Sequence, residues 1–198
     1  MFDRRGLHDE AGRYYRKSIE INPHFSEAYN NLGVVLEARR RLGEAVGYYE
    51  KALEINPDYA EAHSNLGSVF AKLGQIEKAV SHLERTLEIS PNLAEAHNNL
   101  GSLFGRQGQF DKAIPHFEKA LEIKPDYAEA HYNLGMAFEG IGKLDAALEH
   151  YGKALVDSNR AANIHNRMGG ILIRQGQPAK ALPHFEAGTP YHESGKEP

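Results

Sequence analysis

The chain has 198 residues, of which 41% are hydrophobic and 25% charged, with a formal net charge of -4. Enough apolar surface is present for a continuous core, but no electrostatic surplus to drive binding to a nucleic-acid backbone or an anionic membrane. There is no cysteine, which removes disulfide frameworks and thiolate metal sites, and no run approaches the roughly 18 apolar residues of a membrane span or, at the N-terminus, a signal peptide. A soluble, cytoplasmic protein that binds neither nucleic acid nor membrane is the expectation.

Pro23, Pro57, Pro91 and Pro125 stand 34 residues apart, and the same step links Gly33, Gly67, Gly101, Gly135 and Gly169. A period of that length means a solenoid or an array of supersecondary units. In chain order, residues 1–25 are expected to hold a partial first unit, with Met1 inside a first helix and Gly6 at the turn after it. Full units follow at 26–59, 60–93, 94–127 and 128–161, then a degenerate sixth unit at 162–190 and a polar tail or linker at 191–198. Each unit reads as two helices. In 60–93 the first is expected over about Ala60–Leu73, with Leu66, Phe70 and Leu73 on one stripe, and the second over about Ile76–Ile89, with Ala79, Val80, Leu83, Leu87 and Ile89.

Gly74, with Gly6, Gly108, Gly142 and Gly176 in register, sits where a helix C-terminus favours a left-handed residue. Arg40 stands there in the 26–59 unit, so that turn either strains a non-glycine residue or changes geometry. Asp58, Asn92 and Asp126 read as cap residues with Glu61, Glu95 and Glu129 three places on. Gly67 is expected to face Ala79 and Thr86, bringing the two backbones close while Phe70 and Leu83 fill the flanks. Asn159 replaces the periodic proline, and Gly188, Pro190 and Glu193 erode the last helix, which is expected to fray near Ala187. Neither end carries a clear polar capping element. The expectation is an excerpt of a longer chain or self-association through the uncapped solenoid ends.

This set of a Leu-Gly pair, an aromatic three residues later, then Ala, a large residue, a small one and Pro resembles the tetratricopeptide repeat family. The resemblance implies an all-α fold, a right-handed superhelical solenoid of antiparallel helix pairs whose first helices line a concave groove. It also implies a protein-interaction scaffold that holds a partner protein or an extended peptide in that groove.

Two histidine ladders, His63, His97, His131, His165 and His82, His116, His150, His184, recur once per unit and lack the spacings of a zinc site. They read as repeat-consensus residues, so neither a metal nor a cofactor is expected. Ser64, Ser68, Ser81 and Ser102 sit in no strained nucleophile elbow and the acids do not converge, so no enzyme activity is expected. Glu27, Glu61, Glu95 and Glu129 occupy first turns, where capping and the helix dipole account for them.

Asn31, Asn65, Asn99 and Asn133 reduce to packing less easily. Asparagine is a middling helix former, yet these four recur in register on a face away from Leu66 and Phe70. In two units the stripe continues through Ser68 and Lys72 and through Ser102 and Arg106, at helical spacing. The resemblance places these eight residues in the groove as peptide-binding candidates; amide bonding between units is the alternative use of the asparagines. Glu27, Glu37, Glu61, Glu95, Glu129 and Glu139 outnumber Lys72 and Arg106 on that face, which favours neutral to basic peptides. Glu27, Glu61, Glu95 and Glu129 stand where the chaperone-docking members of the family would need lysines. The asparagine ladder is also similar to that of the O-linked N-acetylglucosamine transferases, which implies, as an alternative, the substrate-selecting arm of a larger enzyme.

Overall fold

The computed structural model describes residues 4–157 and 159–189. Pro190 and the tail expected at 191–198 lie outside the described residues. Among the described residues the protein is all-helical, with α1 (Arg4–Ile21), α2 (Ser26–Ala38), α3 (Leu42–Ile55), α4 (Ala60–Lys72), α5 (Ile76–Ile89), α6 (Ala94–Arg106), α7 (Phe110–Ile123), α8 (Ala128–Gly140), α9 (Leu144–Ala154), α10 (Ala161–Arg174) and α11 (Pro178–Gly188). Two compact units share these helices, Met1–Leu103 and Phe104–Pro198, and their boundary falls inside α6.

Within each unit the repeat is visible as helix pairs closed by one type of turn. After α4 the Gly74 N–H donates to the Ala71 carbonyl at 3.3 Å and the Gln75 N–H to the Phe70 carbonyl at 2.9 Å, with Gly74 at φ 74°. These two bonds form a Schellman motif, which needs a left-handed residue between helices. Gly108, Gly142 and Gly176 repeat it at φ 71–77°.

Arg40 makes the same two-bond turn, with Arg40 N–H on the Glu37 carbonyl at 2.8 Å and Arg41 N–H on the Leu36 carbonyl at 3.0 Å. Its φ is 59°, so the turn keeps its geometry and a residue with a Cβ carries the left-handed strain. Arg40→Gly is therefore expected to be neutral or to stabilise by about 0.5–1 kcal/mol, read as a raised denaturant midpoint; a lowered midpoint would show that the arginine side chain holds the turn. Gly6, expected as another such turn, lies within the continuous helix α1.

The close approach of paired helices centres on Gly67 facing Ala79, as the sequence suggests, but Leu83 takes a different place. A Cβ on Gly67 would lie 2.7 Å from Leu83 Cγ and 3.3 Å from the Ala79 carbonyl oxygen. Leu83 thus sits directly on the glycine and not at its flank, and Thr86 instead reaches the Ala60 carbonyl at 3.4 Å and that of His82 at 3.0 Å. Tyr49 covers Gly33, Tyr151 covers Gly135 and Phe185 covers Gly169 in the same way. Around these contacts lies a buried core, with Leu32, Leu36, Leu66 and Val69 in the first unit and Phe117, Leu134, Tyr151, Ile164 and Ile171 in the second.

The capping expectation also changes. α4 and α8 begin after Tyr59 and Tyr127, with no side-chain cap bond, so Asp58 lies one residue too early to cap. Its carboxylate takes Arg85 Nη2 at 2.5 Å instead. At the far end, α9 stops at Ala154, where the Asn159 turn replaces the proline, and the Asn159 N–H donates to Asp157 Oδ1 at 3.1 Å. Gly188 closes α11 as a buried residue; a Cβ there would meet Asn166 Cγ at 2.7 Å, and its carbonyl accepts from Asn166 Nδ2 at 3.2 Å. Gly188 therefore ends α11 within a residue of the expected point while holding that end against α10.

Candidate functional site

The polar stripe of each first helix follows from helical spacing, because residues separated by four, three and four places share a face. In the first unit that face is a hydrogen-bonded ladder. Asn65 Nδ2 on α4 donates to Asn30 Oδ1 on α2 at 2.9 Å, and Asn30 Nδ2 donates to Glu61 Oε1 at 3.1 Å. Asn30 is fully buried, so Asn65 satisfies a group that water cannot reach, and one of the four candidate asparagines joins neighbouring repeats. Asn99 Nδ2 reaches only Ser68 Oγ, at 3.5 Å, the outer limit of a hydrogen bond. Asn31 is half-buried and makes no side-chain hydrogen bond to a described residue. Asn133, in the second unit, is 8% exposed and is engaged by neighbours. Ser68 and Ser102 are half-buried, and Lys72 and Arg106 are exposed.

Sequence reasoning took the second asparagine of Asn30-Asn31 and of Asn98-Asn99 and missed the first. Asn30 and Asn98 are both buried, and the signal was available: a doubled asparagine in a helix interior costs propensity twice.

A second pattern is set by what covers the core glycine. The Tyr49 hydroxyl donates to Glu37 Oε2 at 3.0 Å and the Tyr151 hydroxyl to Glu139 Oε2 at 2.7 Å. Where Leu83 or Phe185 covers the glycine there is no hydroxyl, and the residue in register with Glu37 is Ala71 or Ile173. A buried hydroxyl needs a partner, so the acid travels with the tyrosine. Burial and the adjacent carboxylate push both tyrosines well above the ordinary phenol range. Glu37 also takes Lys72 Nζ at 2.5 Å, while Glu139 takes Arg167 at 3.0 Å and lies 3.8 Å from Arg174. Arg167 and Arg174 extend the registers of Asn133 and Lys72 into α10 and were not among the expected site residues.

The histidine ladders meet as pairs. Nδ1 of His63 lies 2.9 Å from Nδ1 of His82, and the pairs His131–His150 and His165–His184 repeat the distance. Nε2 of His63 and His131 faces the carbonyls of Pro57 and Pro125 at 3.0 and 2.9 Å. A carbonyl only accepts, so each of these nitrogens carries the proton, leaving Nδ1 of the first histidine as acceptor and Nδ1–H of the second as donor. Phe70 stacks on His82 with ring centroids 5.5 Å apart, and Phe138 packs on His150 at the same distance. Burial holds His82, His131, His150 and His184 below the usual histidine range, with Lys78 beside His82 and Lys153 beside the His131–His150 pair lowering them further. Among the described residues no group of three or more potential ligands could hold a metal ion, and no helix is long and apolar enough to cross a membrane.

A glycine-centred helix pair, a left-handed turn and a proline repeated every 34 residues define a helical repeat protein whose first helices present the polar face. Tetratricopeptide repeat models match residues 24–92, 58–126 and 92–155, and further ones match 140–192 and 2–25; the chain belongs to the tetratricopeptide repeat family. No curated protein sequence matches it. Among solved structures it is similar to YrrB, described as a TPR protein with an unusual peptide-binding site (24% identity, 88% of this chain and 90% of that one, TM-score 0.73). A structure of MamA shares 30% identity over 80% of this chain and 92% of that one, with a TM-score of 0.69. The APC/C hetero-tetramer Cut9-Hcn1 matches at 24% identity over 92% of this chain and 36% of that one, with a TM-score of 0.78. These matches support a protein-interaction scaffold.

Proposed function

We propose that the polar face of the first helices holds an extended segment of a partner protein, chiefly by its backbone. One observation carries this reading: within the first unit Asn31 and Asn99 stand in register on that face, with amide groups to which the fold commits only one long bond, Asn99 Nδ2 to Ser68 Oγ at 3.5 Å. An amide offers a donor and an acceptor together and so pairs with a peptide C=O and N–H without reading side chains. Neighbouring first helices packed at about 8–10 Å would meet an extended chain, which advances about 3.3 Å per residue, at about every third residue. The peptide-binding site named for YrrB and the assembly named for Cut9-Hcn1 are consistent with such a role. On α2, α4 and α6, Glu27, Glu61 and Glu95 favour a neutral to basic segment along the first unit.

Photo-crosslinking tests the face directly. A benzophenone amino acid at Ser68, on the proposed face, is expected to trap the partner, whereas the same group at the exposed Glu84 on α5 is not. Equal crosslinking from both positions, or crosslinking from Glu84 alone, would contradict the proposed face.

A further inference from the structure

We infer that the second unit carries a recognition point for an acidic side chain of an extended peptide, formed by Arg167 and Arg174 over the gap at Gly170. This rests on the proposed use of the first-helix face and names the partner chemistry for that part of it.

Register identifies the place. Arg167 continues the series Asn31, Asn65, Asn99, Asn133; Gly170 continues Ser68, Ser102, Met136; and Arg174 continues Lys72, Arg106, Gly140. The three are separated by three and four residues along α10, so they share the face that bears the asparagines in the preceding repeats. A Cβ on Gly170 would meet nothing within 4 Å, so open space lies between the two arginine stems.

The cations there are not fully used. Arg167 Nη1 donates to Glu139 Oε2 at 3.0 Å, but its Nε is buried without a hydrogen-bond partner, although a guanidinium presents Nε–H and Nη–H as a fork suited to one carboxylate. Arg174 is 55% exposed, and its nearest acid is Glu139 at 3.8 Å, beyond hydrogen-bond range. Glu139 also accepts from Tyr151, so a single carboxylate serves two arginines and a phenol. One positive charge is left over, which matches a singly charged carboxylate. A modest turn of the Arg167 guanidinium would present its idle Nε–H to such a group while Arg174 closes from the other side.

Neighbouring groups narrow the alternatives. Tyr132 donates to Asn163 Oδ1 at 3.1 Å, and Arg160 lies over its ring at 5.4 Å while pairing with Glu129 at 3.3 Å. Arg160 is therefore taken up by Glu129 and, at 3.8 Å, by Asp157, which leaves Arg167 and Arg174 as the cations of the Glu139 cluster. With Arg174 exposed and the Gly170 gap unfilled, a chain can run on past the site in both directions, which suits a side-chain carboxylate within a segment better than a chain terminus.

The arginine Nε–H signals of the full chain in 15N–1H NMR spectra report on the site. Three 12-residue Gly/Ser peptides would be titrated at low salt: one blocked at both ends with a central Glu, one blocked likewise with Gln there, and one with neither, blocked only at its N-terminus and ending in a free carboxylate. The Glu peptide is expected to shift the Arg167 and Arg174 Nε–H signals, with the Gln peptide at least tenfold weaker. Arg174→Gln and Gly170→Glu, which places a carboxylate in the gap, should each weaken the Glu peptide at least tenfold while leaving the melting temperature within a few degrees. Equal shifts with Glu and Gln, or shifts only with the free C-terminus, would overturn the inference. If α8 and α10 backbone signals move equally with Glu and Gln, the peptide-binding face stands and the acidic anchor alone fails; if no signal moves with any peptide, both fail on this unit.

Discussion

Gly135→Ala is expected to destabilise the second unit by about 1–3 kcal/mol, although adding a methyl to a helix interior ordinarily stabilises. The added Cβ would lie 2.8 Å from both Cδ1 and Cε1 of Tyr151. That ring cannot yield, because it is fully buried and its hydroxyl is tied to Glu139 at 2.7 Å. Gly47→Ala on α3, where a Cβ meets nothing within 4 Å, is the matched control and should gain about 0.5–1 kcal/mol. Gly169 is intermediate, since its close neighbour Phe185 is 36% exposed and can swing outward. Urea titrations of the three variants should therefore rank Gly47→Ala above the parent, then Gly169→Ala, then Gly135→Ala. A gain at Gly135 would show that the helix pair has slack which the structure does not.

Acidification is expected to weaken the fold strongly below about pH 6.5. His82, His131, His150 and His184 are held below the usual histidine value in the folded chain, mainly by burial, whereas the unfolded chain takes up protons at about pH 6.5. The unfolded state then binds more protons, so the stability these groups contribute is complete above that pH and is lost as pH falls. Linkage sets the slope at up to about 1.4 kcal/mol per pH unit for each proton bound only by the unfolded chain. Glu149 opposes the shift at the His131–His150 pair while Lys153 reinforces it. The first proton can enter a pair at the free Nε2 of the second histidine; a second must break the Nδ1–H to Nδ1 bond. Melting temperatures at constant ionic strength should be level from pH 8 to 7 and fall steeply from 6.5 to 5, and imidazole nitrogen shifts should show His63 as the Nε2–H and His82 as the Nδ1–H tautomer. A level melting curve down to pH 5 would contradict the pairing.

Much of the fold was legible because the period exposes it. α4 and α5 lie within a residue of the ranges expected from Leu66, Phe70, Ala79 and Leu83, and the left-handed turns fall at the periodic glycines from Gly74 onward. What a period does not show is which groups meet across it. The two histidine ladders are 19 residues apart within a unit, and only the crossing of two helices brings Nδ1 to Nδ1. Asn65 has two readings in the sequence, a groove amide or a bond between units, and the second holds once the buried Asn30 of the preceding repeat is seen to need it. The coupling of Tyr49 with Glu37 and of Tyr151 with Glu139 was present in the residues, against Leu83 with Ala71 and Phe117 with Gly105. It gains a meaning only when the hydroxyl is known to be buried. Arg167 and Arg174 were missed for a simpler reason: the stripe was followed as an asparagine series, and the change of residue type in α10 ended it.

The ladder's own geometry selects the measurement that bears most directly on a peptide-binding face. Asn65→Ala would strand the buried Asn30 oxygen, at a cost of about 1–3 kcal/mol, and so would confuse folding with binding. Asn31→Ala with Asn99→Ala removes two amides to which the fold commits at most one long bond. With about 0.5–1.5 kcal/mol for each neutral hydrogen bond lost, the double variant should bind the partner trapped through Ser68 more weakly by about 2–4 kcal/mol, on the order of 30-fold or more. Its melting temperature should stay within a few degrees of the parent's. Unchanged affinity in a folded double variant would contradict a backbone grip by these asparagines.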